Sequence, residues 1–121
     1  MDLYRHAGWL EDQDEQNDDW IPLLIAGSTC CFGAFHDTRL VGFGRAISDS
    51  VSDAYIQDVV VYDSFRGLGL GKRIVNSIRE ELRSLHVNWI GLISTPGTVE
   101  FYRRLGFRVM NGHVPMRFTG K

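Results

Sequence analysis

Two hydrophobic periods divide this chain. From residue 30 to residue 63 the apolar positions fall in short runs broken by polar turns. "TCCFGAFHD" and "RLVGFGRAISD" read as strands separated by the turn-prone "HDTR". "DAYIQDVVVYD" is a third run, rich in Val, Ile and Tyr. Three strands joined by short polar turns predict an antiparallel meander. After residue 69 the period lengthens. Leu70, Ile74, Val75, Ile78, Leu82 and Leu85 recur at spacings of three and four, with Lys72, Arg73, Arg79, Glu80 and Arg83 between them. That is the pattern of an amphipathic helix of about 17 residues. "NWIGLIS" then reads as a short buried strand. A strand, a long helix and a strand make a crossover, so these two strands are expected to be parallel.

The ends are weaker in pattern. A short helix is expected at residues 2–9. A second is expected over "WIPLLIAG", with Asn17, Asp18 and Asp19 as cap candidates, Pro22 in the first turn and Gly27 as the stop. Near the other end, Thr95 and Pro96 open a short helix through "PGTVEFYRRLG", stopped by Gly106. "FRVM" and "VPMRF" are expected to close the fold as an antiparallel pair. The result is a mixed α/β domain, one unit over residues 1–121, with no repeat and no linker.

Composition narrows the function classes. The chain is 44% hydrophobic and 23% charged, ordinary for a globular domain. A net charge of −2 lacks the basic excess of a nucleic-acid binder. No apolar run approaches the roughly 20 residues of a membrane span. The first residues lack the basic-then-apolar order of a signal peptide. Cys30 and Cys31 are adjacent, which suits neither a disulfide nor a zinc site, and the four histidines are scattered. A reduced, cytoplasmic, metal-free protein is expected. The stretch "EDQDEQNDD", residues 11–19, reads as a solvated acidic segment or as a rim that attracts a cationic substrate.

The chemistry concentrates in "FRGLGLGKR", residues 65–73. A magnesium-nucleotide loop needs G-x-x-x-x-G-K-[S/T], but Arg73 follows Gly71-Lys72 and Arg66 stands where the first glycine belongs. A dinucleotide fingerprint needs G-x-G-x-x-G and a distal acid, and here the spacing is G-x-G-x-G with the next strand ending in Ser94. What remains is R-x-x-G-x-G at a strand-to-helix junction, where loop N–H groups and a helix N-terminus converge on an anion.

This segment resembles the pyrophosphate-binding signature of the GCN5-related N-acetyltransferase (GNAT) family. "FYRRLGF", residues 101–107, is similar to that family's second signature. The pair, with "IQDVVVYDSFRGLGLGKRIV", also resembles the subgroup containing plastid serotonin N-acetyltransferases and small bacterial relatives. The resemblance implies the GNAT fold, here apparently short of its first strand, and acetyl-CoA as donor. It places the donor on Val59, Val60 and Val61 of the third strand, on the loop residues Arg66, Gly67, Leu68, Gly69, Leu70, Gly71 and Lys72, and on Thr95. At that last position the family often has asparagine. It implies transfer of the acetyl group to a primary amine of a small molecule, by direct attack in a ternary complex. Acetylation of a protein or peptide amine, or non-catalytic sensing of acyl-CoA, are the alternatives, and a homodimer is compatible with it.

Acetyl transfer from a thioester needs a neutral amine, donors for the oxyanion and a proton or hydrogen bond for the leaving sulfur. An alkyl amine is only about one part in a thousand neutral at pH 7, which costs roughly 4 kcal/mol. The resemblance puts Tyr102 beside the sulfur. Asp58 is the expected base, with a water chain as the substitute. Strand alternation sends Gln57 and Asp58 to opposite faces. The acceptor side is expected to draw on Tyr4, Trp9 and Trp20, on Arg45, Ser48 and Asp49, and on Met116 and Phe118. Arg45 is also suited to a substrate carboxylate.

Overall fold

The computed structural model describes residues 2–7 and 20–120. Trp9, the acidic stretch 11–19 and the expected caps Asn17, Asp18 and Asp19 lie outside the described residues. Four strands form one sheet in the order β1-β2-β3-β4: β1 Cys30–His36, β2 Arg39–Ser48, β3 Asp53–Val61 and β4 Trp89–Leu92. β1, β2 and β3 are the expected antiparallel meander, and β4 joins β3 in parallel. The helices are α1 Asp2–His6, α2 Trp20–Gly27, α3 Leu70–Ser84 and α4 Val99–Arg104, and a 3-10 turn covers Asp63–Phe65. No strand precedes α1 among the described residues.

The sheet carries helices on both faces, and the sequence shows why. On one face α3 buries Ile74, Val75, Ile78 and Leu82 against Ala46, Ala54 and Ile56. These are the residues that the helical period picked out. β2 presents Gly42, Gly44 and Ala46 to that helix, so it sits close. A Cβ on Gly44 would lie 2.7 Å from Ile74 Cγ2 and 3.2 Å from Ile78 Cδ1. Gly44→Ala is therefore expected to overpack the interface and cost about 1–3 kcal/mol. A denaturant midpoint equal to the parent's would show that α3 is loosely seated. On the other face Leu3 and Tyr4 of α1 pack on Phe43 and Val60, with Trp20 and Leu24 of α2 beside them.

α4 ends where Gly106 takes φ +99°. The N–H of Gly106 bonds to Arg103 O at 3.0 Å and that of Phe107 to Tyr102 O at 3.0 Å, a Schellman closure that satisfies two terminal carbonyls. Arg79, expected on the polar face of α3, instead turns inward and donates to Leu105 O at 2.8 Å, tying α3 to α4.

Three expectations are corrected. α4 begins at Val99, because Thr95 and Pro96 sit in a turn closed by the Thr98 N–H on Thr95 O. β4 is an edge strand rather than a buried one, and Trp89 is 40% exposed. "FRVM" and "VPMRF" form no strand pair. Their turn does exist, with Gly112 at φ +82° and the His113 N–H on Met110 O at 3.2 Å, but its two arms stay extended and unpaired. β4 offers too short a ledge for the arms to propagate a ladder within one chain.

Candidate active site

The site follows from a mismatch of strand lengths. β3 runs nine residues, but β4 pairs only with its first four, from Asp53 opposite Trp89 to Ile56 opposite Leu92. Beyond Ile56, β3 keeps β2 on one side and has no strand on the other. A gap therefore opens between β3 and the line of β4. The Tyr62 N–H donates to Val41 O at 3.0 Å, on the β2 side. Antiparallel alternation then turns the Val61 N–H towards the gap. Val60 is buried and paired with Phe43.

A bulge shapes the same stretch. Phe43 pairs with Val60 and Arg45 with Gln57, so Gly44 faces both Asp58 and Val59. Asp58 takes φ +58°, a left-handed conformation that aspartate tolerates better than most side chains. The extra residue reverses the alternation. Ala54 and Ile56 face α3, as do Val59 and Val61, while Val60 packs with Tyr4 on the α1 face.

Asp58 is thereby delivered to Tyr4 and Arg45. The Tyr4 hydroxyl donates to Asp58 Oδ2 at 2.8 Å, and Arg45 Nε donates to the same oxygen at 2.6 Å. Arg45 Nη2 also reaches Gln57 Oε1 at 3.3 Å, and Nη1 reaches Ser28 Oγ at 3.3 Å. The expectation that Gln57 and Asp58 face oppositely fails for this reason: across a bulge, both reach one guanidinium. Arg45 is consequently committed to Asp58. Burial, with the hydrogen bond to Asp58 second, pushes the Tyr4 phenol well above its ordinary range, so it remains a donor.

At the end of β3 the chain passes through the Asp63–Phe65 turn into the glycine loop. Gly67 and Gly69 take φ +80° and +79°, and a Cβ on either would meet nothing within 4 Å. The loop is thus backbone facing open space. Gly69 caps α3 without any side-chain bond, and the Arg73 N–H closes the first turn on its carbonyl at 3.0 Å. The N–H groups of Leu70, Gly71 and Lys72 belong to the first turn and have no helical partner. Arg66 folds back to Asp63 at 2.8 Å and to Val61 O at 3.3 Å, bracing the loop. Leu68 and Lys72 are exposed. Gly71 serves packing: its Cβ would press on Phe101 Cζ at 3.2 Å.

Tyr102 projects from α4. Its ring is half-buried, edge-on to Phe101 at 4.9 Å and to Phe107 at 5.8 Å. Burial pushes its phenol up from the ordinary value. The hydroxyl makes no hydrogen bond among the described residues. Thr95 stands at the start of the α4 turn, its carbonyl taken by Thr98 Oγ1 at 2.7 Å. Cys30 is packed against the α3 core, and its thiol is pushed up to about 11, chiefly by burial, which leaves it no use as a nucleophile near neutral pH.

Not every expected residue comes to this place. Trp20 packs edge-on to Tyr4 at 5.8 Å and so borders the Asp58 network. Asp49 closes the β2–β3 turn, accepting from the N–H groups of Val51 and Ser52 and from the Ser52 hydroxyl, which hold its carboxyl far below the usual range. It sits at the opposite end of β3 from the gap, roughly 25 Å along the strand. Met116 is 92% exposed in the C-terminal arm and touches neither the gap nor the loop. The Arg45–Asp58 pair was open to sequence reasoning but not read. A lone arginine and a lone aspartate in neighbouring apolar strands each need a partner, and each is the other's.

Known proteins share this arrangement. The family model of the acetyltransferase (GNAT) family matches residues 2–107. A GNAT family acetyltransferase from Streptococcus pneumoniae superposes with a TM-score of 0.78 at 23% identity, over 97% of this chain and 85% of its own. The "Uncharacterized N-acetyltransferase ycf52" of Porphyra purpurea is 47% identical over 70 residues, which is 58% of this chain and 40% of that protein. The "Serotonin N-acetyltransferase 2, chloroplastic" of Oryza sativa subsp. japonica is 45% identical over 69 residues, 57% of this chain and 34% of that protein. The matched segment thus spans well under half the length of these relatives. A mixed sheet split beside a glycine loop defines an acyltransferase fold. The chain belongs to the GNAT family and is an acetyltransferase.

Proposed function

We propose that this protein transfers an acetyl group from acetyl-CoA to the primary amine of a small molecule, by direct attack within a ternary complex. The observation that carries the reading is the gap beside Gln57–Val61 opening onto the bare backbone of Gly67 and Gly69 and the first turn of α3. GNAT enzymes generally use acetyl-CoA, and the residues here fit it. The phosphates would lie on the N–H groups of the loop and of Leu70, Gly71 and Lys72, with the Lys72 charge nearby. The thioester arm would add to the free edge of β3 at Val59 and Val61. When bound, acetyl-CoA supplies an acetyl group already activated by its thiol leaving group.

The chain's own groups do the rest. The Val61 N–H offers a donor to the oxyanion, and the Tyr102 hydroxyl offers its proton to the departing sulfur. Asp58 Oδ2 is held by Tyr4 and Arg45, which leaves Oδ1 to receive the proton of the amine. Tyr4, Trp20 and Phe43 make an aromatic wall beside that carboxylate, suited to an aromatic amine. The relative named as a serotonin N-acetyltransferase accords with this substrate class. The two free thiols suit a reducing compartment such as the cytoplasm.

The test is thiol release from acetyl-CoA against arylalkylamines, polyamines, amino sugars, amino acids and lysine peptides. Turnover with an arylalkylamine is the expected result. Binding of acetyl-CoA without thiol release would leave only a sensor, and turnover confined to peptides would move the substrate to proteins. Asp58→Asn is expected to lower kcat/KM by about 100-fold, and Tyr4→Phe by under about 10-fold. An equal loss in both would show that the network, rather than proton transfer to Asp58, is what matters.

A further inference from the structure

The C-terminal arm and the outer edge of β4 are each incomplete. β4 pairs with β3 on one side and with nothing on the other. Along that open edge runs a groove of about 440 Å³ lined by Asn88, Trp89, Ile90, Leu92, Leu105 and Phe107. Its floor is largely apolar, and the edge offers unpaired backbone groups. The arm is the converse. Val114, Met116 and Phe118 alternate with Pro115 and Arg117, the period of a strand with one apolar face. They are 75%, 92% and 86% exposed, and the arm has no ladder.

We propose that the arm of one chain adds as a strand to the β4 edge of a second copy, which returns its own arm to the first. Three observations favour a second copy over the chain's own edge. The Met110–His113 turn is formed, yet the reversal it provides is not followed by pairing of either arm. Arg108 and Met110 line the mouth of the groove, but residues 114–118 lie outside its lining. The interface also has the size of a stable dimer. Residues 108–120 together with the rest of the groove lining make roughly twenty residues a side, the low end of a standard interface. One arm and one edge per chain close under a two-fold axis and leave nothing exposed for a third copy. The exchange also braces β4, the short wall of the gap, from its outer side.

Light scattering on the full chain should give twice its 13.8 kDa mass. The triple variant Val114→Ser, Met116→Ser, Phe118→Ser should be monomeric while keeping the far-ultraviolet dichroism of the parent. Cross-linking separates exchange from folding back. Chains carrying only Ile90→Cys, mixed after mild denaturation and refolding with chains carrying only Met116→Cys, should form a disulfide between the two under oxidation. Both are made in a Cys30→Ser, Cys31→Ser background. A monomeric parent, a dimer whose mass ignores the triple variant, or a disulfide formed only within a chain bearing both new cysteines would each overturn the exchange.

Discussion

Gly69→Val is expected to weaken acetyl-CoA binding at least about 100-fold, a loss of roughly 2.7 kcal/mol. Two separate effects act at this residue. Its φ of +79° is a conformation that a β-branched side chain essentially never adopts, and the left-handed region costs a non-glycine residue about 1–2 kcal/mol. Valine would pull the backbone out of it, and with it the N–H groups that open α3. The second effect is occupancy. A Cβ here meets no protein atom within 4 Å, so the fold itself leaves that volume to something else. Titration calorimetry with acetyl-CoA measures the effect, and dichroism confirms that the sheet and α3 persist. Gly71→Ala is the matching control. Its methyl would press on Phe101, so it should lower the unfolding midpoint while changing the affinity much less. If Gly69→Val binds within about threefold of the parent, the loop is a connector and the donor lies elsewhere.

That pair of glycines shows what the sequence could and could not display. Spacing identified the loop and its chemistry, because only a few loops place glycines at alternate positions before a helix. It could not separate Gly69, demanded by backbone conformation, from Gly71, demanded by the Phe101 ring across the helix pair, because both demands are written with the same letter. The meander and α3 were legible because one face of each is buried, and burial imposes a period. The bulge at Asp58 was not. It is a single residue of excess, set by where β2 and β3 find their registers, and "DVVV" reads as unbroken strand. Everything that depends on the bulge was hidden with it: the shared contact of Gln57 and Asp58 with Arg45, and the move of Val60 to the Tyr4 face. The C-terminal arm failed differently. Its alternation was real, and the strand it encodes lacks its partner within the chain. The end of α3 was obscure as well, because His86 takes the left-handed position, at φ +63°, that glycine usually marks.

Tyr102→Phe should lower kcat by about 1000-fold, near 4 kcal/mol of transition-state stabilisation, and leave acetyl-CoA affinity almost unchanged. The ring and the hydroxyl have separable duties. The ring packs edge-on between Phe101 and Phe107 and is kept by the substitution. The hydroxyl bonds to nothing among the described residues, so its removal breaks no described contact and should leave the unfolding midpoint where it is. Its only remaining use is towards a ligand in the gap. The direction of its titration fits that use. Burial raises the phenol above its ordinary value near 10, so the group holds its proton through the whole neutral and mildly alkaline range. A departing thiolate, whose thiol ordinarily titrates near 8.5, therefore meets a protonated partner wherever the amine is free to attack. The rate in the parent should show no alkaline decline from this group until the pH passes about 10, and a decline centred near 8 would point to another donor. Single-turnover rates at saturating acetyl-CoA isolate the chemical step. Should the variant instead lose affinity and rate in equal measure, the ring's packing would be the contribution of Tyr102, and the proton for the sulfur would come from solvent.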